Sequence, residues 1–250
     1  MRVGRVAQLG RHPVKSMRGD RLHSAELTGP WGLPGDRGWV VRGEDDGEPL
    51  SAKKLSGLLG FHARYAEEPH SESTPTVEVT FPDGRVLRSD DDRVHDALSG
   101  ALGARVRLCP RPPTPAGPDD DGAPPRGTYF DAMPLSLLTT TAMSTLQSAL
   151  PDSAIDPRRF RTNLIVSTCA DATGHPEFDW VGSRLHIGET TCEVVMRIPR
   201  CRMVTLPQAD LPHDRTILRT SARDTDATLG VYLRAITPGT IREGDEVRLL

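Results

Sequence analysis

The sequence predicts a mainly β protein with a few short helices, an α+β chain in which short strands build barrels. Two observations carry that expectation. The apolar runs are brief, and they are set apart by a chain rich in turn formers, with 23 glycines and 22 prolines in 250 residues. Strand-like segments also follow one another at close spacing, which favours barrels over open α/β layers.

In chain order, residues 3–9, 39–41, 61–65 and 77–81 each read as a strand bounded by turn residues. Asp83-Gly84 then separates 77–81 from 85–87, the strongest hairpin signal in the chain. The run 90–92 of aspartates caps a helix whose Val94, Ala97, Leu98, Ala101 and Leu102 share one face, and 105–108 is a further strand. Between 109 and 127 seven prolines and three consecutive aspartates exclude a core or a regular element. A first domain over 1–109, a Pro/Asp-rich linker over 110–127 and a second domain over 128–250 follow from that break, with the linker expected to be mobile or to lie over the cleft between the halves. The second half opens with a strand at 135–138, and the threonines 139–141 cap a short helix to Leu150. Strands are expected again at 163–167, 183–187, 191–196, 231–236 and 246–249.

The 31 basic and 34 acidic side chains nearly cancel, leaving a net charge of -3. That balance argues against extensive nucleic-acid or membrane-surface binding and leaves room for a local basic pocket. No apolar run approaches a membrane span and the first residues lack a signal-peptide core, so a cytoplasmic location is expected. Nucleotide-binding, serine-hydrolase and zinc-protease signatures are absent. Cys109, Cys169, Cys192 and Cys201 lie far from any C-x-x-C pattern, which points to free thiols and not to zinc or disulfides. Cys169 and Cys192 read as small core residues.

Cys201 is different, because Arg200 and Arg202 flank it directly after a strand. Cations beside a thiol favour the thiolate, the nucleophilic and metal-binding form. The same pattern also suits a half-buried structural cysteine beside solvated arginines. Lys15-Ser16, Asp36-Arg37 and Phe160-Arg161-Thr162-Asn163 are further places where cations and small polar groups meet strand ends.

In this order the segments resemble the MOSC superfamily with its N-terminal β-barrel partner, in the branch of the amidoxime-reducing components. The residues that carry the resemblance are Val14-Lys15-Ser16, Asp36-Arg37 with Trp39, Leu137-Leu138-Thr139-Thr140, Phe160-Arg161-Thr162-Asn163, Arg200-Cys201, and Pro238-Gly239 through Gly244-Asp245. Two departures stand out. Thr162 replaces a usual proline, and Val204-Thr205-Leu206-Pro207-Gln208 replaces a T-T-V-D-P segment, removing an aspartate.

The resemblance implies a MOSC-type β-barrel core with an N-terminal β-barrel domain, and molybdenum cofactor as the ligand. Cys201 is then the metal ligand, Lys15, Ser16 and Arg37 serve the terminal phosphate, Thr139, Thr140 and Arg161 lie nearer the pterin, and Asn163 and Arg200 are further cofactor-binding residues. Pyridoxal phosphate is not expected. The implied reaction reduces a small N-hydroxylated substrate by N–O cleavage. With no iron–sulfur or dinucleotide motif in the chain, electrons are expected from a separate reductase or ferredoxin-like protein. The alternatives are sulfur transfer through a persulfide on Cys201 and a non-enzymatic carrier of molybdenum cofactor.

Overall fold

The computed structural model describes residues 1–29, 31–70, 74–111 and 129–250. Its described residues form fifteen strands and three α-helices. The Pro/Asp-rich segment, apart from its first residues, lies outside the described residues.

The largest element is a closed barrel. It uses β1 (Arg2–Arg11), β9 (Leu135–Thr139), β10 (Leu164–Thr168), β11 (Arg184–Ile187), β12 (Thr190–Pro199), β13 (Thr228–Thr237) and β15 (Glu246–Leu249). These are hydrogen-bonded in the order β10-β9-β13-β12-β11-β15-β1, and β1 returns to β10 to close the ring. Closure leaves no exposed edge in the seven strands. The short β2 (Asp20–Leu22) extends β1 outside the ring. Alternation sets the inside: along β13, Val231, Leu233 and Ala235 point into the core while Tyr232, Arg234 and Ile236 face outward. One barrel strand, β1, therefore comes from the start of the chain and six from the end. A second tie crosses the same way, where β3 (Ser24–Leu27) pairs with β14 (Gly239–Arg242).

The intervening chain makes a smaller body. β5 (His62–Tyr65), β6 (Val77–Thr80) and β7 (Val86–Arg88) form one sheet, and β4 (Trp39–Gly43) pairs with β8 (Val106–Pro110). Helix α1 (Arg93–Leu102) covers them, and Val14, Met17, Phe61, Val79 and Leu98 fill the space between. Phe61 meets Phe81 edge-on with ring centroids 5.1 Å apart. The 83–84 turn is as expected, with Gly84 at φ +88°. Of the three aspartates before α1, it is Asp91 that accepts an amide hydrogen bond, from Arg93 at 3.0 Å, while the side chain of Asp92 makes no cap.

Helix α2 (Thr140–Ala149) begins as the sequence indicates, Thr139 accepting the Ala142 amide. Both α2 and α3 (Thr216–Thr225) pack on the outside of the barrel through Leu146, Ile217, Leu138 and Leu229. This explains why β9 is buried on both faces. Cys192 is a core residue as expected, whereas Cys169 is only half-buried and lies at the end of β10, its thiol turned to the Arg2 carbonyl. That corrects its reading as a core residue: past the end of a strand, alternation no longer places a side chain inside.

The seam where β1 meets β10 is tight at Gly4, opposite Thr168. A methyl group there would collide with the Ser167 carbonyl oxygen and come within 2.8 Å of Val166 Cγ1. Gly4→Ala should therefore lower unfolding stability by about 1–3 kcal/mol in urea denaturation, the usual cost of overpacking. A variant as stable as the wild type would show that the seam yields freely.

Candidate functional site

Three non-glycine residues where the two bodies meet hold left-handed backbone: Ser16 at φ +69°, Arg37 at +50° and Arg161 at +52°. Such conformations cost on the order of 1–3 kcal/mol each and concentrate at functional sites. Hydrogen bonds from neighbouring chain enforce them. The Arg37 amide donates to the His12 carbonyl at 2.7 Å, and the Trp39 amide to the Pro13 carbonyl at 3.0 Å. Arg161, from the turn before β10, reaches across to donate to the carbonyls of Val14 and Met17. Its own carbonyl accepts from Arg37 Nη2 at 3.0 Å.

Charge is crowded there. Asp36 is fully buried, accepts the His12 amide at 2.7 Å, and pairs with Arg37. Burial alone would raise its carboxyl pKa, but Arg37 and His12 hold it well below the usual carboxylate range. Burial, reinforced by Arg161, pushes the His12 imidazole down to about 3, so it is neutral. Burial and the nearby Arg37 push the Arg161 guanidinium down to about 9. A guanidinium keeps its proton in proteins, so this downward push describes a cation short of negative charge.

Arg200 sits at the end of β12, opposite the first turn of β13. Its Nε donates to the Leu229 carbonyl at 2.8 Å and its Nη1 to the Phe160 carbonyl at 3.1 Å, while Nη2 is buried without a hydrogen-bond partner. Burial lowers its pKa to about 10. Gly230, at φ +77°, makes room for it: a Cβ there would lie 2.6 Å from the Leu137 carbonyl and 3.3 Å from Arg200 Nη2. Behind the arginine, the Glu177 carboxylate is fully buried and accepts from Thr139 Oγ1 at 2.6 Å. The thiol of Cys201 follows, half-buried, where the chain leaves β12.

One recess gathers Arg37, Arg161, Arg200 and Cys201, together with Asp131, Ser136 and Tyr232. Of the other residues expected at the site, Lys15 reaches the edge, its Nζ donating to the Asp131 carboxylate and the Tyr129 carbonyl, each at 2.8 Å. Ser16 is buried, and its Oγ accepts the Ala52 amide. Asn163 holds the frame, accepting from the Ser136 amide and hydroxyl and donating to the Gly10 carbonyl at 3.2 Å. Thr139 is committed to Glu177 and the α2 cap, and Thr140 is exposed on α2; neither lines the recess.

Sequence reasoning missed Asp131, Ser136, Glu177 and Tyr232. Alternation could have found Tyr232, because Val231 and Leu233 must face the barrel core and so turn it outward. Arg159, also unforeseen, is buried and donates to the Ala154 and Pro212 carbonyls at 2.9 Å, which fixes the chain that follows Cys201.

The donor set suits an anionic group that brings its own metal ligands. Among the described residues no three of His, Cys, Asp and Glu come together to hold a metal. The recess is lined by one thiol, Cys201, and four guanidinium groups, those of Arg37, Arg159, Arg161 and Arg200, and the Nη2 of Arg200 has no hydrogen-bond partner among the described residues. A metal held by a phosphorylated dithiolene needs that combination: one further thiolate, and cations for the charge it carries.

The site and fold together define a barrel protein with a cationic, thiol-bearing cleft at its junction with a smaller β body. The chain belongs to the MOSC family: the MOSC domain model matches residues 124–248, and the MOSC N-terminal beta barrel domain model matches residues 3–99. It is 27% identical to mitochondrial amidoxime-reducing component 1 of Mus musculus and 26% identical to that of Homo sapiens, in each case over 99% of this chain and 83% of the relative. Among solved structures it resembles the YUAD protein from Bacillus subtilis, with a TM-score of 0.51 at 12% identity over 99% of this chain and 95% of the other. That likeness concerns the fold. No helix among the described residues is long and apolar enough to cross a membrane.

The buried His12 gives a pH signature. Its folded pKa of about 3 lies below the unfolded value of 6.5, so only the unfolded chain gains a proton between those values. Stability should be fully present above pH 6.5 and decline as pH falls through that window. His12→Gln should flatten the fall of Tm between pH 6.5 and 4, and an unchanged slope would assign the loss to other groups.

Proposed function

We propose that this protein binds molybdenum cofactor in the recess between its two bodies and reduces small N-hydroxylated compounds. The observation that carries the reading is the meeting of the Cys201 thiol with Arg37, Arg161 and Arg200, of which Arg161 and Arg200 make no ion pair with a described carboxylate and have their pKa values lowered by burial. Similarity over nearly the whole chain to two amidoxime-reducing components supports the choice of reaction.

In this reading Cys201 supplies the protein's ligand to the metal, and Lys15 and Arg37 face the cofactor's phosphate. Arg161 and Arg200 offset the charge of the pterin and its dithiolene. When bound, the cofactor supplies the two-electron chemistry that breaks an N–O bond. The chain orients it, and the phenol of Tyr232, raised by burial and so kept protonated, offers a hydrogen-bond donor inside the recess. Asp131 gives the recess its one acidic group among the described lining residues. Conversion of an N-hydroxy group to N–H and water consumes two electrons and two protons, and the electrons come from a separate donor protein. The four unpaired thiols suit a reducing compartment, which we take to be the cytoplasm.

Protein made in a cofactor-competent host should contain molybdenum and pterin and reduce benzamidoxime with an artificial electron donor. Cys201→Ala should lose at least about a hundredfold in activity, with the metal content reduced, as expected when a ligand is removed from a metal site. Metal-free wild-type protein that accumulates persulfide on Cys201 would replace the reductase with sulfur transfer. Loaded protein without turnover would leave a carrier.

A further inference from the structure

The surface just outside Cys201 carries a charge pattern that the fold does not need. Most exposed arginines elsewhere pair with acids, among them Arg85 with Asp83, Arg88 with Asp90, Arg105 with Glu44, Arg234 with Glu193 and Arg248 with Glu246, while Arg184 and Arg197 are exposed without an ion pair to a described carboxylate. Around the segment 201–206 the pairing stops. Arg202, Arg215 and Arg219 are exposed, and none makes an ion pair with a described carboxylate. They border a shallow recess floored by Leu206 and Leu218, with exposed His213 at its edge. On the other flank Ala52 packs with Leu206 and Met203, and the chain continues into the exposed Lys53 and Lys54, of which Lys53 helps to lower the pKa of Asp131. Three exposed arginines thus line one shallow recess in a chain whose net charge is -3.

The local structure would be better off without them. Arg215 precedes the first residue of α3 and Arg219 lies one turn on. Cations are disfavoured at a helix amino terminus, and like charges four residues apart repel. The nearest acids are engaged elsewhere, Asp210 by Arg158 and Asp214 by Thr216. A cluster that costs the fold and has no internal partner has the character of a surface built to meet negative charge.

We propose that this rim is the docking surface for an acidic electron-donor protein, which it seats directly over the loop that presents Cys201. The inference rests on the reductase reading, in which electrons arrive from a second protein. Its support is the complementarity of unpaired cations to an acidic partner and their continuity with the site: Arg202 is the chain neighbour of Cys201, and the turn 202–205 separates the rim from the recess. Charge of this kind steers encounter and sets its dependence on ionic strength.

The test uses a strongly acidic plant-type [2Fe–2S] ferredoxin immobilised for surface plasmon resonance at low salt, against cofactor-loaded protein. Wild type should bind, and more weakly as salt rises. The double charge reversal Arg215→Glu with Arg219→Glu should weaken binding at least about tenfold. Molybdenum content, Tm and benzamidoxime reduction with a small artificial donor should stay as in wild type. The reversal Arg2→Glu with Arg248→Glu, at the end of β1 away from the site, changes net charge equally and should leave binding within about twofold of wild type. Absence of binding by the wild type, equal binding by the rim variant, or equal loss in both variants would overturn the assignment. Failure of the wild type to reduce benzamidoxime with the small donor would instead count against the reaction itself, since that assay does not involve the rim.

Discussion

The structure depends on how buried cations are managed where its two bodies meet. Arg161 leaves the barrel wall, crosses the junction and ends on the carbonyls of Val14 and Met17, with Arg37 holding its own carbonyl. Asp36 is the fully buried carboxylate at this point, and it is already taken by Arg37 and His12. Carbonyl dipoles hold the guanidinium groups of Arg161 and Arg200 in place without neutralising them. An arrangement of this kind is costly for an empty cleft and favourable for one that closes on an anion.

The same junction explains where the backbone is strained. Ser16, Arg37 and Arg161 hold left-handed conformations at the junction, and Arg37 and Arg161 are tied across it by hydrogen bonds to backbone carbonyls, so the strain is stored beside the recess. The barrel supplies rigidity on one side, where closure through β1 ties the start of the chain to its end. Gly230 and Asn163 then set the fine positions, the glycine by leaving space for Arg200 and the asparagine by holding Ser136 at the cleft wall.

Much of this was legible in the sequence, for identifiable reasons. Strands such as β6 and β13 declare themselves through alternation and turn residues, and Thr139 announces the start of α2. By contrast β3 and β14 are short and half polar, and their pairing joins residues more than two hundred positions apart. Helix α3 holds few apolar residues, Ile217 chief among them, because it covers the barrel with one narrow face. The chemistry shows the same division. Cys201, Arg37, Arg161 and Arg200 could be named from motifs. Tyr232, Asp131 and Glu177 could not, because their roles arise only when the barrel turns one face of a strand toward the cleft or buries a carboxylate behind an arginine. Thr139, taken as a candidate for the pterin, spends its hydroxyl on the helix cap and on Glu177.

The central claim is that the sulfur at 201 completes a metal site whose charge is balanced by Arg37, Arg161 and Arg200. Molybdenum-edge anomalous diffraction from crystals of cofactor-loaded protein tests it most directly. The account predicts a single molybdenum peak at bonding distance from Cys201 Sγ, with electron density for the pterin running along the three guanidinium groups toward Lys15. A molybdenum peak bound elsewhere on the chain, or well-resolved pterin density that bypasses those arginines, would contradict it.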